Sequence, residues 1–151
     1  MDVAALTVAE AAALLGAGTC TARQLAEACL ERIAAHDGAL RSFVRVEPEL
    51  ALAQADSSDA RRAAGQARGP LEGIPYSLKD VYATTDSPTT ASSRMLDGWI
   101  APYDATVYRL LNEAGAVMLG KTNTDELAAA PGSRIFVIED LRDVTDRKSV
   151  V

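Results

Sequence analysis

Histidine and cysteine are scarce in this chain of 151 residues, which contains one histidine and two cysteines. Cys20 and Cys29 have no second pair at metal-ligand spacing, so we predict no metal site. We expect both thiols to be reduced and to lie in or near the core of a cytoplasmic protein. His36 follows a helical stretch and has no catalytic partner in the sequence. We therefore expect it to interact with the dipole at a helix end.

Long apolar runs are also missing. No stretch of about 18 apolar residues occurs, so we expect no membrane-spanning helix. The first four residues lack the basic start and apolar run of a signal peptide. Acidic residues outnumber basic ones by 21 to 15, for a formal net charge of -6. Such a surface repels phosphate backbones, so we do not expect direct nucleic-acid binding. The cluster Arg61, Arg62 and Arg68 is interpreted as a solvated helix face.

The chain does have the length and apolar content of one globular domain, with 48% apolar and 24% charged residues. Its first half predicts short helices. Thr7 with Glu10 and Thr21 with Gln24 match the capping-box pattern, so a helix should begin after each threonine. Gly16 and Gly18 should end the first helix, and Asp37–Gly38 should end the second.

Strand signals appear on both sides of a third helix. Ser42–Val46 is a strand candidate, and the Ala-rich, charged segment Glu49–Gln66 predicts a helix that begins near Pro48. The apolar run Gly73–Tyr82 then predicts a strand that ends near Asp80.

The next predicted elements are a helix over Ala105–Glu113 and a buried strand over Ala116–Leu119, which Gly120 should end. Strand, helix and strand in this order predict a parallel βαβ unit, so the fold class is α/β. The helix residues expected to face inward are Val107, Leu110 and Leu111.

Lys79 is the candidate catalytic residue. It lies at the end of an apolar strand, next to Asp80, where we expect its side chain to be partly buried. Burial disfavours an ammonium ion, and a neutral lysine can accept the proton of a serine nucleophile. The alternative is a surface lysine whose ammonium pairs with Asp80, and strand periodicity alone favours that alternative.

A second lysine belongs to a pattern typical of phosphate-binding loops. Gly115 to Thr122 reads Gly-x4-Gly-Lys-Thr, with Lys121 as the lysine. Such a loop needs a strand before its first glycine, so that backbone N–H groups can surround a phosphate. Here a helix precedes Gly115, and four apolar residues occupy the loop positions. We expect a buried strand, and a P-loop nucleotide-binding module stays the less favoured alternative.

Four motifs, taken in order, resemble those of the amidase signature family. Gly69–Asp80 is similar to the lysine motif of the family. Pro88–Ser93, Tyr103–Val107 and Gly115–Asn123 follow at the family's spacing. Together with the two N-terminal helices, the resemblance covers about residues 5 to 128.

The resemblance implies a mixed, mainly parallel sheet between helices, of which this chain would contain the N-terminal helices and the start of the sheet. It also implies amide hydrolysis by a Ser–Ser–Lys triad in which Lys79 is the lysine. Neither Ser133 nor Ser149 lies in the family's Gly- and Ser-rich context. We therefore expect both triad serines to be missing and the chain alone to be inactive.

The resemblance also predicts a boundary. We assign residues 1–131 to the N-terminal part of an amidase-signature domain. Ala129, Ala130 and Pro131 already depart from the family pattern. We expect residues 132–151 to be an artefactual tail that is poorly anchored to the core.

Within the family, Gly98–Thr106 and Lys121–Glu126 are most similar to A subunits of glutamyl-tRNA(Gln) amidotransferases. This resemblance implies a cytoplasmic parent protein that hydrolyses glutamine and passes ammonia to a B subunit. The B subunit uses ATP to activate glutamyl-tRNA, and a C subunit helps to hold the pair together. The chain itself would need no cofactor and would meet tRNA through the complex. An ordinary amidase that acts on small amides is the alternative.

Overall fold

A computed structural model describes residues 6–124 and residue 127, which form four helices, three strands and a short 3₁₀ turn. No helix in this part of the chain combines the length and the apolar character needed to cross a membrane. The elements are α1 (Val8–Gly16), α2 (Ala22–Leu40), β1 (Phe43–Val46), α3 (Pro48–Ala63), β2 (Pro75–Lys79), the turn Arg94–Leu96, α4 (Thr106–Glu113) and β3 (Val117–Thr122).

Both predicted capping boxes form. The backbone N–H of Glu10 donates to the Thr7 hydroxyl at 3.2 Å, and the Thr7 N–H donates to the Glu10 carboxylate at 2.7 Å. Thr21 and Gln24 make the same reciprocal pair at 3.1 and 3.0 Å. At the start of α2, the carboxylate of Asp59 on α3 also accepts from the first two N–H groups. The start of α2 is therefore attached to α3 as well as capped.

The prediction that Asp37–Gly38 ends α2 is wrong, because the helix continues to Leu40. Arg41, in the left-handed conformation at φ +51°, ends it. The Asp37 carboxylate instead accepts from the N–H of Ser42 at 2.7 Å, beyond the helix. A glycine inside a helix costs only about 1 kcal/mol, so one glycine does not stop a helix that can continue to a better C-cap.

The three strands form one mixed sheet in the order β1-β3-β2. Strands β2 and β3 are parallel and α4 lies between them in the chain, which confirms the predicted βαβ unit. Strand β1 pairs antiparallel with β3. The α/β class and the mixed sheet are as predicted, with one parallel and one antiparallel pair among the described strands.

Small side chains bring the helices close to the sheet. Alanines of α2 and α3 are fully buried against β3, where Val117 and Leu119 face them. Cys20 is buried in this core and Cys29 packs against it, and both are free thiols, as predicted. Burial raises the pKa of the Cys29 thiol to about 11. Both thiols are therefore packing residues.

Helix α4 faces the interior through a residue that the sequence analysis did not select. Tyr108 is fully buried, whereas Val107 and Leu110, which were predicted to face inward, are exposed. The hydroxyl of Tyr108 donates a hydrogen bond to Asp86. This polar contact keeps the amphipathic ring inside, and a count of apolar residues does not reveal it.

A β-bulge interrupts the pairing of β2 with β3. Tyr76 pairs with Met118 and Leu78 pairs with Lys121, so β3 has one residue more than β2 in this interval. The prediction that Gly120 ends the strand is wrong, because the strand passes through the bulge to Thr122. A bulge reverses the alternation of side chains beyond it, and Lys121 therefore lies on the same face as Met118.

Gly120 allows the close approach of β1. A Cβ on Gly120 would lie 2.3 Å from the carbonyl oxygen of Arg45. Any other residue would force the two strands apart.

Gly115 to Thr122 is a turn followed by a buried strand, as predicted. Its first glycine, Gly115, follows α4, so the arrangement is not that of a phosphate-binding loop.

Gly115 has a different partner, the buried carboxylate of Glu72. Arg61 donates to this carboxylate at 2.7 Å, and the backbone N–H of Arg68 donates at 2.9 Å. Arg62 donates to the Glu72 carbonyl at 2.6 Å. The interpretation as a solvated helix face is therefore wrong for Arg61 and Arg62, whose side chains bind Glu72. Arg68 is exposed, and its side chain donates to the Asn112 carbonyl at 3.0 Å.

The hydrogen bonds around Glu72 stabilise its carboxylate in the charged form. Burial alone would raise the pKa of this carboxyl, but the hydrogen bonds from Arg61 and from the Arg68 backbone outweigh burial and hold the pKa below its ordinary value. A Cβ on Gly115 would lie 2.4 Å from the carboxylate. The segment before β2 and the turn before β3 are thus packed on one charged group.

We predict that Gly115→Ala lowers the free energy of unfolding by about 3 kcal/mol or more, because the added methyl collides with Glu72 and breaks a buried ion pair. Gly65→Ala is the matched control. Gly65 also has a positive φ, +69°, but no atom lies within 4 Å of its would-be Cβ. It should lose about 1 kcal/mol. Urea denaturation measures both, and equal losses would contradict the collision with Glu72.

We also predict that the protein does not bind ATP through the Gly-x4-Gly-Lys-Thr pattern. The four residues between the two glycines are buried, so their N–H groups are not free to surround a phosphate. Calorimetric titration with ATP and Mg²⁺ should give no saturable heat. Saturable binding that Lys121→Ala abolishes would overturn this interpretation.

Candidate functional site

Lys79 is the last residue of β2, as the apolar run predicted. Its Cα pairs with that of Thr122 at the end of β3. The residue is partly buried, as expected. Among the described residues, β2 is an edge strand of the sheet. Within those residues, no hydrogen bond or ion pair engages the Lys79 ammonium.

Asp80 does not pair with Lys79, so the alternative of a surface ion pair is wrong. Its side chain is 1% exposed. The carboxylate accepts from the hydroxyl of Thr90 at 2.5 Å and from the N–H of Thr90 at 3.1 Å. The N–H of Ser92 lies at 3.4 Å from the same oxygen. Asp80 therefore holds the loop that follows β2, and Lys79 is left without a counter-ion from its neighbour.

This loop returns to the ends of the two parallel strands. Ala91 and Ser92 both have left-handed backbone conformations, at φ +48° and +54°. The Ala91 N–H donates to the carbonyl of Asp80 at 2.9 Å. The Ser92 hydroxyl donates to the Asn123 side chain at 2.8 Å and accepts from the N–H of Thr124 at 3.1 Å. The loop 88–93 and the end of β3 are thus joined next to the end of β2.

Lys121 is the residue that the sequence analysis missed as part of this site. It is fully buried. Its ammonium donates to the carbonyl of Tyr82 at 2.7 Å and to the hydroxyl of Thr89 at 2.9 Å, and lies 3.8 Å from the Asp80 carboxylate. The available signal was a lysine directly after a glycine at the end of an apolar strand. Its family motif and its phosphate-binding pattern gave this lysine no role at the site, and the phosphate-binding loop does not form.

The charge on Lys121 is disfavoured by burial and favoured by its neighbours. Loss of water lowers the pKa of this ammonium, while the carboxylates of Asp80, Asp86 and Glu47 act in the opposite direction. The pKa remains below the ordinary value. A buried lysine that is compensated by carboxylates and hydrogen-bond acceptors has a fixed position.

Two amines, those of Lys79 and Lys121, are the reactive groups at this end of the sheet, and the Lys121 amine contacts the Thr89 hydroxyl. Among the described residues, no group of three or more His, Cys, Asp and Glu side chains could hold a metal ion. His36 lies in the last turns of α2, and its interaction with the helix dipole stays a prediction. Asp125, Glu126, Ser133, Ser149 and the predicted tail 132–151 lie outside the described residues.

Comparison with known proteins gives a consistent answer. The family model for amidases matches residues 24–137. The A subunit of the glutamyl-tRNA(Gln) amidotransferase of Thermobifida fusca is 50% identical over 123 residues, and that of Corynebacterium glutamicum (strain R) is 51% identical over 123 residues. These matches cover 82% and 81% of this chain and 25% of each relative. The predicted boundary at residue 131 stays a prediction.

Solved structures agree with the sequence comparison. A peptide amidase bound to chymostatin superposes with a TM-score of 0.78 and 41% identity, covering 83% of this chain and 26% of that chain. An amidase family protein from Bacillus anthracis superposes with a TM-score of 0.75 and 34% identity, covering 82% and 25%. The chain thus spans about a quarter of the length of these relatives. On the family match and these identities, it belongs to the amidase family.

Proposed function

We propose that this chain is the N-terminal part of a glutamine-hydrolysing A subunit of a glutamyl-tRNA(Gln) amidotransferase. The observation that carries the proposal is its identity of about one residue in two with curated subunits of that name over 123 residues. The full-length protein would release ammonia from glutamine. A B subunit would use the ammonia and ATP to make glutaminyl-tRNA(Gln), and a C subunit would support the complex in the cytoplasm.

In this proposal Lys79 is the base of a Ser–Ser–Lys triad. Its position at the carboxyl end of a parallel strand supports the role, because sites of α/β proteins form at that edge. Its amine has no partner among the described residues, so it is available to a serine. A bridging serine would pass the nucleophile's proton to the amine as the nucleophile attacks the amide carbonyl. The protonated amine would return that proton through the bridging serine to the departing NH2 group, which leaves as ammonia, and water would then hydrolyse the acyl-enzyme ester. Both serines would lie outside this chain.

The second candidate function is hydrolysis of small or peptide amides without partner subunits. It is favoured by the superposition on a peptide amidase at 41% identity. The two candidates share the triad and differ in the amide they accept. Substrate preference separates them. Glutamine hydrolysis that rises when the B and C subunits are added supports the amidotransferase, and faster hydrolysis of an amidated peptide without them supports the amidase.

We predict that Lys79→Ala and Lys79→Arg in the full-length protein both lower kcat/KM for amide hydrolysis by about 10³-fold or more, since general-base catalysis contributes on this order. Lys79→Arg keeps the positive charge but cannot accept a proton at neutral pH. Ammonia release measures the rate. If the arginine variant retained most of the activity, Lys79 would act through its charge and not as a base.

The chain of 151 residues alone should show no turnover of glutamine or of a simple amide. A lysine without an activated serine and without donors for the oxyanion lacks the groups that supply most of the rate enhancement. Ammonia release is again the measurement, with Lys79→Ala as the control. Turnover above background that disappears in the control would show that the chain contains a nucleophile of its own.

A further inference from the structure

The backbone turns sharply directly after Lys79. The N–H of Asp80 donates to the carbonyl of Thr122 at 3.0 Å, so the chain is still attached to β3 at this point. The N–H of Tyr82 then donates back to the carbonyl of Lys79 at 3.1 Å. These two hydrogen bonds define the Lys79–Tyr82 turn. The direction in which the Lys79 side chain leaves the sheet depends on the backbone of this turn.

Lys121 holds the far side of the turn. Its ammonium donates to the Tyr82 carbonyl, the last acceptor of the turn, at 2.7 Å. It also donates to the hydroxyl of Thr89 at 2.9 Å, which joins the returning loop to the turn. Asp80 lies 3.8 Å away and holds the same loop at Thr90. One ammonium ion thus connects the turn, the loop and the carboxylate beside Lys79.

Stability alone does not account for a lysine at this position. Burying an ammonium ion is unfavourable, and an apolar residue of similar volume is often as stable in such a place. The neighbours on the same face of the sheet include Leu78 and Met118, which an apolar side chain would suit. What an apolar side chain cannot supply is a donor for the Tyr82 carbonyl and for Thr89.

We propose that Lys121 is a positioning residue that fixes the Lys79–Tyr82 turn and thereby the orientation of the Lys79 amine. The inference rests on the proposed function for its catalytic consequence. Its structural part, that the Lys121 ammonium keeps the turn closed, stands on the hydrogen bonds. Lys121 acts through Lys79 and does not itself contact the reacting amide.

The test replaces Lys121 by methionine, which has similar length and no charge, in the full-length protein. Hydrogen exchange should accelerate by about tenfold or more at the N–H of Tyr82 and of Thr90. Exchange in the core of α2, at Leu25 and Ala26, should be unchanged. The kcat for ammonia release should fall by about 10²-fold with little change in KM, because substrate binding is kept and the base is misplaced.

Two threonine variants keep the test decisive if Lys121→Met fails to fold. Thr89→Val removes a hydroxyl that accepts from Lys121 and itself donates to the Tyr82 carbonyl at 3.3 Å. It should accelerate exchange at Tyr82 to a smaller extent, because the direct bond from Lys121 to that carbonyl remains. Thr84→Val is the matched control, because Thr84 is buried in the same loop but donates to the carbonyl of Ser87 at 2.8 Å. It should leave exchange at Tyr82 unchanged.

The outcomes separate this inference from the proposed function. Exchange at Tyr82 that is unchanged in a folded Lys121→Met protein, or that changes equally in Thr89→Val and Thr84→Val, overturns the role of Lys121. So does a kcat equal to that of the wild type. A wild-type protein that hydrolyses neither glutamine nor a simple amide overturns the proposed function, and the exchange rates then still decide whether Lys121 closes the turn.

Discussion

The bulge at Gly120 is the constraint on which the arrangement around Lys79 depends. In a regular strand Met118 and Lys121, three positions apart, would point to opposite faces. Lys121 would then face the alanine- and leucine-rich core under α1 to α3, where an ammonium ion has no acceptor. The extra residue places it instead on the Met118 face, against the turn after β2. The glycine is required because the Arg45 carbonyl occupies the space of a side chain.

The sequence predicted correctly those features that depend on residues close together in the chain. Each capping box joins residues three positions apart, and both were predicted correctly. The end of β2 at Lys79 was also predicted, since turn residues on both sides of an apolar run mark where the strand begins and ends. The order of the family motifs brought Lys79 and the loop 88–93 into one candidate region, although no spacing rule gives the contacts between them.

The wrong predictions concern features that depend on contacts between residues far apart in the chain. Gly120 was interpreted as a strand end because the carbonyl that it makes room for belongs to Arg45, on another strand and far earlier in the chain. Arg61 and Arg62, in the last turn of α3, were assigned to solvent although their partner Glu72 is buried against Gly115. The inward face of α4 was misassigned because Asp86 recruits Tyr108. Each case is a tertiary contact that overrides a local preference.

The two lysines at this end of the sheet show how position determines chemistry. Lys121 lies on the central strand and is surrounded, so its donors are used by Tyr82 and Thr89. Lys79 lies on an edge strand and has no such partner in the described part of the chain. A base must come within about 2.6–3.2 Å of the hydroxyl it deprotonates. Under the proposed function, a serine hydroxyl must therefore come this close to the Lys79 amine, which the described residues leave without a partner.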